Sequence, residues 1–589
     1  MSAVEATARR SQLVSTYGVG GLFPSDSSSF MIVGLDDWNK DRAPVVSEPR
    51  LARSLGVLVL KSPPASEGSF VRSKKSKDVP VIRFPRQQVC PVCRRIGTHR
   101  DLGLDWNAAQ CKCQQKKDGA SLSPFRLVAV CPRGHIDDFP VFGWLHAGQE
   151  YARDSEHRMT MKALGRTSSL DDLELNCSCG VRSRTLDKAT DAASLKNIKS
   201  CSGRRPWLRD AEPEECREVL SVVQRGASNV WFPSVRSTIS IPPYSEKIAK
   251  LVDKHWVILS SLPSDALRGA AERIAKAASK VTTDDILSEV TRRHDEESGE
   301  SVNEEELRRQ EFRALMEGRD PSLGDGDFVC EVTVSGSDFD VDVPEIFTDL
   351  RKVTRLREVR ALRGFTRLKG DEGADELCQL SMCVTDWLPA IEVIGEGIFL
   401  GMDRGALDDW AAEPFAQKRL AMLQASADYQ AAEFGRPAKP VDIVKVALHT
   451  FAHVLIDQLS LDAGYPASSL RERLYVDPEM AGILIYTASS DSAGSLGGVA
   501  SQADPDRFAA AVREGLKRLS WCSSDPVCIE TEASGTDAMN LAACHACVLA
   551  PETSCELNNT LLDRALLFGT HDPDEEDAGI FSTFVQDLD

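Results

Sequence analysis

The sequence predicts a multidomain protein of mixed α/β (α+β) class, in which strands and helices are interrupted by cysteine-rich insertions. Its length of 589 residues corresponds to about three or four domains at roughly 150 residues each. Short apolar runs of strand length alternate with longer segments of helical periodicity. Fourteen of the 17 cysteines fall into three groups, at 90–131, 177–216 and 522–555. Together these observations favour several cores.

Four consecutive segments follow from changes in composition along the chain. Residues 1–89 have short apolar runs broken by Gly, Pro and Ser, which is typical of a β-rich segment. Residues 90–220 are cysteine-rich and dominated by loops, and residues 221–439 form a mixed α/β middle domain. Residues 440–589 predict a C-terminal α/β domain with a helix at 441–461, a strand at 482–487 and a helix at 506–519.

The middle segment contains both helix and strand patterns. Helical periodicity covers 246–317, and strand patterns cover 328–334 and 388–400. The acidic stretch 295–306 is predicted to be an exposed or disordered helical insertion.

The charge distribution is strongly asymmetric. The net charge is −19, yet 17 Lys and Arg stand against 5 Asp and Glu between residues 50 and 136. Such a basic stretch on an acidic chain favours contact with phosphates through one face. The candidate DNA-phosphate contacts are Arg72, Lys74, Lys75 and Lys77. The alternative is a solvated basic loop.

The sequence also predicts the compartment. The first residues show no secretory pattern, and no run approaches the roughly 18 apolar residues of a membrane span, so a cytoplasmic location without membrane contact is expected. The cytosol keeps thiols reduced, so the clustered cysteines favour metal binding over disulfides.

The C-terminal group has the most specific spacing. The predicted ligands are Cys528, Cys544, Cys547 and Cys555. A Cys-x-x-Cys knuckle places two sulfurs on one ion, and four thiolates leave no position for water, so this spacing predicts a structural Zn²⁺ site. Cys522 is predicted to be a spare thiol.

The first group offers six candidate ligands for one zinc-ribbon-like site or for part of two. The favoured set is Cys90, Cys93, Cys111 and Cys113. The alternative replaces one or both of the later cysteines with Cys131 or His135.

The middle group predicts a further four-thiolate site with looser spacing. Its members are Cys177, Cys179, Cys201 and Cys216. The alternative is a set of buried free thiols, which are common in cores. Two or three structural zinc sites are therefore expected.

No catalytic constellation is evident. The phosphate-binding loop of ATPases is absent from the sequence, so no motor core is expected. His449 and His453 have the i, i+4 spacing of a zinc protease helix, but Thr450 occupies the position of the required glutamate. The apolar flanks favour packing histidines in a core helix. A zinc-dependent hydrolase or nuclease using His449 and His453 is kept as the alternative.

Several motifs resemble one family. The stretch NLAACHACVLAPETSC at 540–555 resembles the cysteine-rich domain of unknown function that accompanies superfamily 2 helicases. Four further stretches resemble the DrmB proteins of the DISARM anti-phage defence system: RRSQLVSTYG at 9–18, CPRGHIDDFP at 131–140, RGASNVWFP at 225–233 and EVIGEG at 392–397.

The resemblance implies an accessory, non-catalytic role. A DrmA-like helicase on a separate chain would hold the ATPase and form a heterodimer with this protein. The pair would bind DNA and take part in sensing foreign DNA.

Overall fold

The computed structural model describes residues 8–586, except 26–27, 66–78, 107, 114–118, 153–155, 166, 168, 279–280, 298–301, 321–325, 337–338, 340–342, 369–376, 434–436, 488–496 and 536–537. The chain forms two compact units, each assembled from separate stretches. The first comprises residues 1–46, 55–237 and 360–391, and the second comprises 47–54, 238–359 and 392–589.

The first unit consists mainly of short strands. Its strands are β1 (Leu22–Pro24), β2 (Ser29–Ile32), β3 (Val45–Val46), β4 (Val59–Lys61), β5 (Val81–Arg83), β6 (Gln88–Val89), β7 (Arg95–Gly97), β8 (Gln110–Cys111), β9 (Ala120–Ser121), β10 (Ser123–Pro124), β11 (Leu127–Val130), β12 (Ile136–Asp138), β13 (Met159–Ala163), β14 (Leu173–Cys177), β15 (Arg184–Thr185), β16 (Ser221–Gln224) and β17 (Phe232–Ile239), the last of which ends in the second unit. Its helices are α1 (Gln12–Ser15) and α3 (Val141–His146).

Small antiparallel sheets organise this unit. The largest has the order β10-β6-β7-β13-β14-β15, and two others have the orders β1-β2-β5 and β12-β11-β16. The pair β8-β9 stands apart from them. The main core under these sheets includes Leu127, Phe139, Trp144 and Leu175, all at most 1% exposed. Strand pairing thus brings together loops that are far apart in the sequence.

The second unit is richer in helix. Its helices are α2 (Pro49–Ser54), α4 (Lys247–Leu259), α5 (Ser264–Ala277), α6 (Thr283–Glu297), α7 (Glu304–Glu317), α8 (Arg404–Ala411), α9 (Pro414–Glu433), α10 (Ile443–Ala463), α11 (Pro505–Leu519), α12 (Ala565–Phe568) and α13 (Ser582–Gln586). Its strands are β18 (Val329–Ser335), β19 (Phe347–Thr366), β20 (Trp387–Met402), β21 (Leu470–Asp477) and β22 (Met480–Thr487), with β19 and β20 each having residues in both units.

Helix α10 is the central element of this unit. The Asp442 side chain caps its first turn by accepting the N–H groups of Val444 and Lys445, and Gly464 ends it in the left-handed conformation. Most of its residues are buried, since it packs against α11, β21 and β22. Strand β22 is buried along its whole length between β20 and β21. The histidine pair of α10 therefore lies inside the core.

The described residues of the acidic stretch 295–306 lie in or beside two helices. Its described residues lie at the end of α6 and in the first turn of α7. Asn303 caps α7 by accepting the Glu306 N–H, and Glu304, Glu305 and Glu306 stand where the helix dipole favours acidic groups. Further along α7, Glu311 is fully buried.

The mixed helix and sheet class is confirmed. The helices expected at 441–461 and 506–519 correspond to α10 and α11, and the strand expected at 482–487 corresponds to β22. The division into four consecutive segments stays a prediction. The two units of the structure are each discontinuous in sequence. Within the described residues, the helices are all too short or too polar to cross a bilayer.

Candidate metal centres

The four cysteines of the favoured first set lie together in the first unit. Cys90 and Cys93 lie in the turn between β6 and β7, Cys111 is the last residue of β8, and Cys113 follows that strand. The Sγ atoms of Cys90 and Cys113 are 3.9 Å apart, and those of Cys93 and Cys111 are 3.8 Å apart. A tetrahedral ion with metal–sulfur bonds of about 2.3 Å requires sulfur separations of about 3.8 Å. The spacing therefore fits a zinc–thiolate centre.

Cys131 and His135 do not join this set, because they form a second cluster with Cys201 and Cys216. The His135 Nδ1 atom lies 3.4 Å from Cys131 Sγ and 3.6 Å from Cys201 Sγ. The reason is strand pairing: β16 pairs with β11, which places the segment before β16 beside Cys131.

A carboxylate lies beside the histidine of this second cluster. The His135 Nε2 atom lies 2.9 Å from a Glu214 carboxylate oxygen, which leaves Nδ1 to face the thiols. A carboxylate behind a histidine orients the ring and raises its basicity as a ligand. Burial opposes protonation of His135, but Cys201 and Glu214 raise its pKa above the usual value.

The predicted set of Cys177, Cys179, Cys201 and Cys216 is therefore wrong as a group. Cys177 and Cys179 lie instead with His146 and His157. His146 Nε2 is 3.3 Å from Cys179 Sγ, and His157 Nδ1 is 3.4 Å from Cys177 Sγ. The antiparallel pairing of β13 with β14 puts Met159 opposite Cys177 and so brings His157 close.

The C-terminal cluster differs from the prediction by one residue. Its members are Cys522, Cys528, Cys544 and Cys547. Their Sγ separations are 3.5 Å for Cys522 and Cys544, 3.7 Å for Cys528 and Cys547, and 3.6 Å within the knuckle. Cys522, expected to be a spare thiol, thus takes the place predicted for Cys555. Cys555 lies elsewhere, with its Sγ 3.1 Å from His449 Nε2.

Electrostatics within this cluster favour a bound cation. Burial and repulsion from Cys544 raise the pKa of Cys547 to about 12. For Cys544, burial also acts to raise the pKa, but the Ala546 N–H and the neighbouring thiols lower it to about 7. The thiols thus resist simultaneous ionisation, and a divalent ion among them would relieve that repulsion.

The sequence patterns did not predict three of the candidate ligands, His146, His157 and Cys522. His146 and His157 belong to no Cys-x-x-Cys motif. Their position inside the cysteine-rich stretch is the one sequence feature that could have suggested them as metal ligands. Cys522 lies six residues before Cys528, close enough in sequence to have been considered as a ligand. The proposed phosphate contacts Arg72, Lys74, Lys75 and Lys77 lie outside the described residues.

Comparison with known proteins gives the family. Residues 9–232 match a domain of unknown function, DUF8724, and residues 451–548 match the MrfA Zn-binding domain. The chain is 34% identical over 538 residues to the DISARM protein DrmB of Bacillus paralicheniformis. The aligned region covers 85% of this chain and 91% of that protein. The chain belongs to the DrmB family.

The clusters divide between the two matched regions of this DrmB-family chain. The thiols of Cys522, Cys528, Cys544 and Cys547 all lie within the zinc-binding match, and their tetrahedral spacing suits zinc. The other three clusters described above lie within the DUF8724 match.

Proposed function

We propose that this chain is a non-catalytic, zinc-stabilised subunit of a cytoplasmic DISARM anti-phage defence system. It works as a heterodimer with a separate DrmA-like superfamily 2 helicase and helps to bind and sense foreign DNA. The observation that carries the proposal is the 34% identity to a DISARM protein DrmB across 91% of that protein.

The chemistry of the clusters supports a structural role for the metal. Each contains four ligand groups, all of whose ligand atoms lie within 4.8 Å of one another. Four protein ligands fill the coordination shell of zinc, whereas catalytic sites keep a position open for water or substrate. We therefore assign these ions to folding rather than to hydrolysis.

The hydrolytic alternative draws no support from the histidine pair. In the described part of the chain, His449 and His453 are 0% and 2% exposed, so neither ring presents a surface to a nucleic-acid phosphate. The sequence also lacks a phosphate-binding loop, which is consistent with ATP turnover on the partner chain.

Co-purification tests the helicase partnership. The chain is expressed with a tag beside the DrmA-like helicase, and the pair is isolated and assayed for DNA-stimulated ATP hydrolysis. We expect one stoichiometric complex whose ATP hydrolysis is lost when the phosphate-binding loop of the helicase is substituted. ATP hydrolysis by this chain alone would overturn the non-catalytic assignment.

Charge removal tests the DNA face. Alanine at Arg72, Lys74, Lys75 and Lys77 should weaken DNA binding by the complex and flatten its salt dependence by about 0.9 in the log–log slope per lost phosphate contact. The matched control removes four exposed cations elsewhere, Lys254, Arg273, Lys276 and Lys517. Equal losses of DNA affinity in the two variants would mean that the effect comes from net charge alone and would refute the basic segment as the DNA face.

A further inference from the structure

A fifth cluster of ligand-type side chains lies in the core of the second unit. Its members are His449, His453, Glu472 and Cys555. The histidines occupy adjacent turns of α10, Glu472 lies on β21, and Cys555 lies in the segment after the zinc-binding match. Three stretches that are distant in sequence thus direct metal-binding atoms to one point, with all four ligand atoms within 4.8 Å of one another.

The distances are close to those around one four-coordinate ion. His449 Nε2 is 3.1 Å from Cys555 Sγ and 3.1 Å from Glu472 Oε1, and His453 Nε2 is 3.6 Å from Glu472 Oε2. Bonds of about 2.0–2.3 Å to N, O and S in a tetrahedron require ligand separations of about 3.3–3.7 Å. The 3.6 Å separation lies in this range, and the two 3.1 Å separations are slightly shorter, so that ion binding would move His449 Nε2 a few tenths of an ångström from its neighbours. The cluster is as compact as the cysteine centres, although its donors differ.

Backbone groups orient both imidazole rings toward this point. His449 Nδ1 lies 3.1 Å from the Leu561 carbonyl oxygen, and His453 Nδ1 lies 2.8 Å from that of Val548. These contacts fit Nδ1–H donors, which leaves both Nε2 atoms as electron-pair donors toward the centre. Such outer hydrogen bonds are the usual support of histidine ligands.

The anionic members are supported in the same way. Cys555 Sγ accepts the N–H groups of Leu557 and Asn559 at 3.3 Å and 3.2 Å. Glu472 Oε1 accepts the Glu556 N–H at 3.0 Å. Among the described residues, neither the other Glu472 oxygen, Oε2, nor His453 Nε2 has a hydrogen-bond partner, although both are buried. Two unsatisfied buried atoms that face each other at 3.6 Å indicate a missing shared partner.

A divalent cation satisfies the charge balance of this centre when Cys555 is a thiolate. Glu472 and Cys555 are 0% and 3% exposed, and a buried carboxylate and thiolate need compensating charge. Protonating both histidines would supply it only by placing two cations with ring centroids 4.6 Å apart. One divalent ion neutralises both anions and accepts an electron pair from each neutral ring.

We propose that His449, His453, Glu472 and Cys555 bind one zinc ion as a closed structural centre. Binding displaces the Cys555 thiol proton to solvent and leaves no open position, because all four ligands are at most 3% exposed. The centre joins α10, β21 and the segment around Cys555. This proposal does not depend on the DNA or helicase assignments.

Anomalous scattering from crystals of the unaltered chain tests the site directly. At the zinc absorption edge we expect a peak between the four side chains, together with peaks at the cysteine clusters that serve as an internal reference. Peaks at the cysteine clusters with none between these four residues would overturn the proposal. This measurement needs no substitution and so does not depend on the folding of a variant.

Zinc content gives a second test. His453→Gln should lower the zinc bound by the full-length chain by about one ion per molecule, measured by elemental analysis after gel filtration. The matched control is His571→Gln, an exposed histidine of the same unit, which should keep the full complement. A folded His453→Gln chain with unchanged zinc content would refute the assignment.

Discussion

Glu311 of α7 and Arg473 of β21 form a buried ion pair through two contacts. Arg473 Nε lies 2.7 Å from Glu311 Oε2, and Nη2 lies 2.8 Å from Oε1. Thr238 and Tyr475 also donate hydroxyl hydrogen bonds to this carboxylate. The pair fixes α7 on the strand that carries Glu472, so it helps to place one ligand of the proposed centre.

Breaking this pair should strongly destabilise the second unit. Glu311→Gln removes the carboxylate that holds the buried Arg473 charge through two close contacts, which costs about 3–5 kcal/mol. Urea denaturation followed by tryptophan fluorescence measures the change. The control is Glu156→Gln in an ion pair exposed on both sides, for which no measurable change is expected. Equal midpoints for Glu311→Gln and the unaltered chain would contradict the prediction.

The same pair sets a pH dependence. Burial acts to raise the pKa of Glu311, but Arg473 and Arg308 lower it below its usual value. A carboxyl with a depressed pKa contributes stability above its unfolded pKa of about 4.3 and loses it as pH falls through the folded pKa. The stability difference between the unaltered chain and Glu311→Gln should therefore be full near neutral pH and shrink below about pH 4.3. A difference that grows on acidification would be inconsistent with this sign.

The C-terminal cysteine centre predicts a specific role for Cys522. Cys522→Ser should remove one zinc ion per chain, because a serine hydroxyl stays protonated and binds zinc poorly. Loss of a structural zinc removes folding free energy on the order of 10 kcal/mol in small zinc domains. Cys383→Ser, at an exposed cysteine outside the clusters, provides the control. Unchanged zinc content in Cys522→Ser would restore the interpretation of Cys522 as a spare thiol.

Glu214 should tune metal retention without being a ligand. Its carboxylate lies 2.9 Å from His135 Nε2, and Glu214→Gln should lower zinc affinity at that cluster by about 10–100-fold. Competition with a chromophoric chelator measures the release. The neighbouring Glu215, whose side chain is 87% exposed, provides the control variant Glu215→Gln. Identical release from the two variants would argue against a role for Glu214 in orienting His135.

The three cysteines outside the clusters should differ in reactivity. Burial raises the pKa of Cys330 to about 12 and that of Cys378 to about 11, whereas Cys383 is exposed. Iodoacetamide near pH 8 reacts with thiolates, so it should label Cys383 in the folded chain and leave Cys330 and Cys378 unmodified. Peptide mass spectrometry reads the outcome, and rapid labelling of Cys330 in folded protein would contradict it.

The sequence by itself determined the mixed class, the main helices and strands of the C-terminal region, and the presence of metal-ligand clusters. Local patterns were sufficient for these features, because hydrophobic periodicity and a Cys-x-x-Cys turn involve neighbouring residues. The grouping of Cys90, Cys93, Cys111 and Cys113 could also be predicted from the sequence, since the two pairs are close along the chain and share a small core.

Only the tertiary structure decided how the remaining ligands are grouped. The pairing of β11 with β16 brings Cys131 toward Cys216, and that of β13 with β14 brings His157 to Cys177. The packing of α10 on β21 brings the histidine pair to Glu472. Zinc binds donors that lie at the right distance and direction in space. Strand register and helix packing determine that distance and direction, whereas separation along the chain does not determine them.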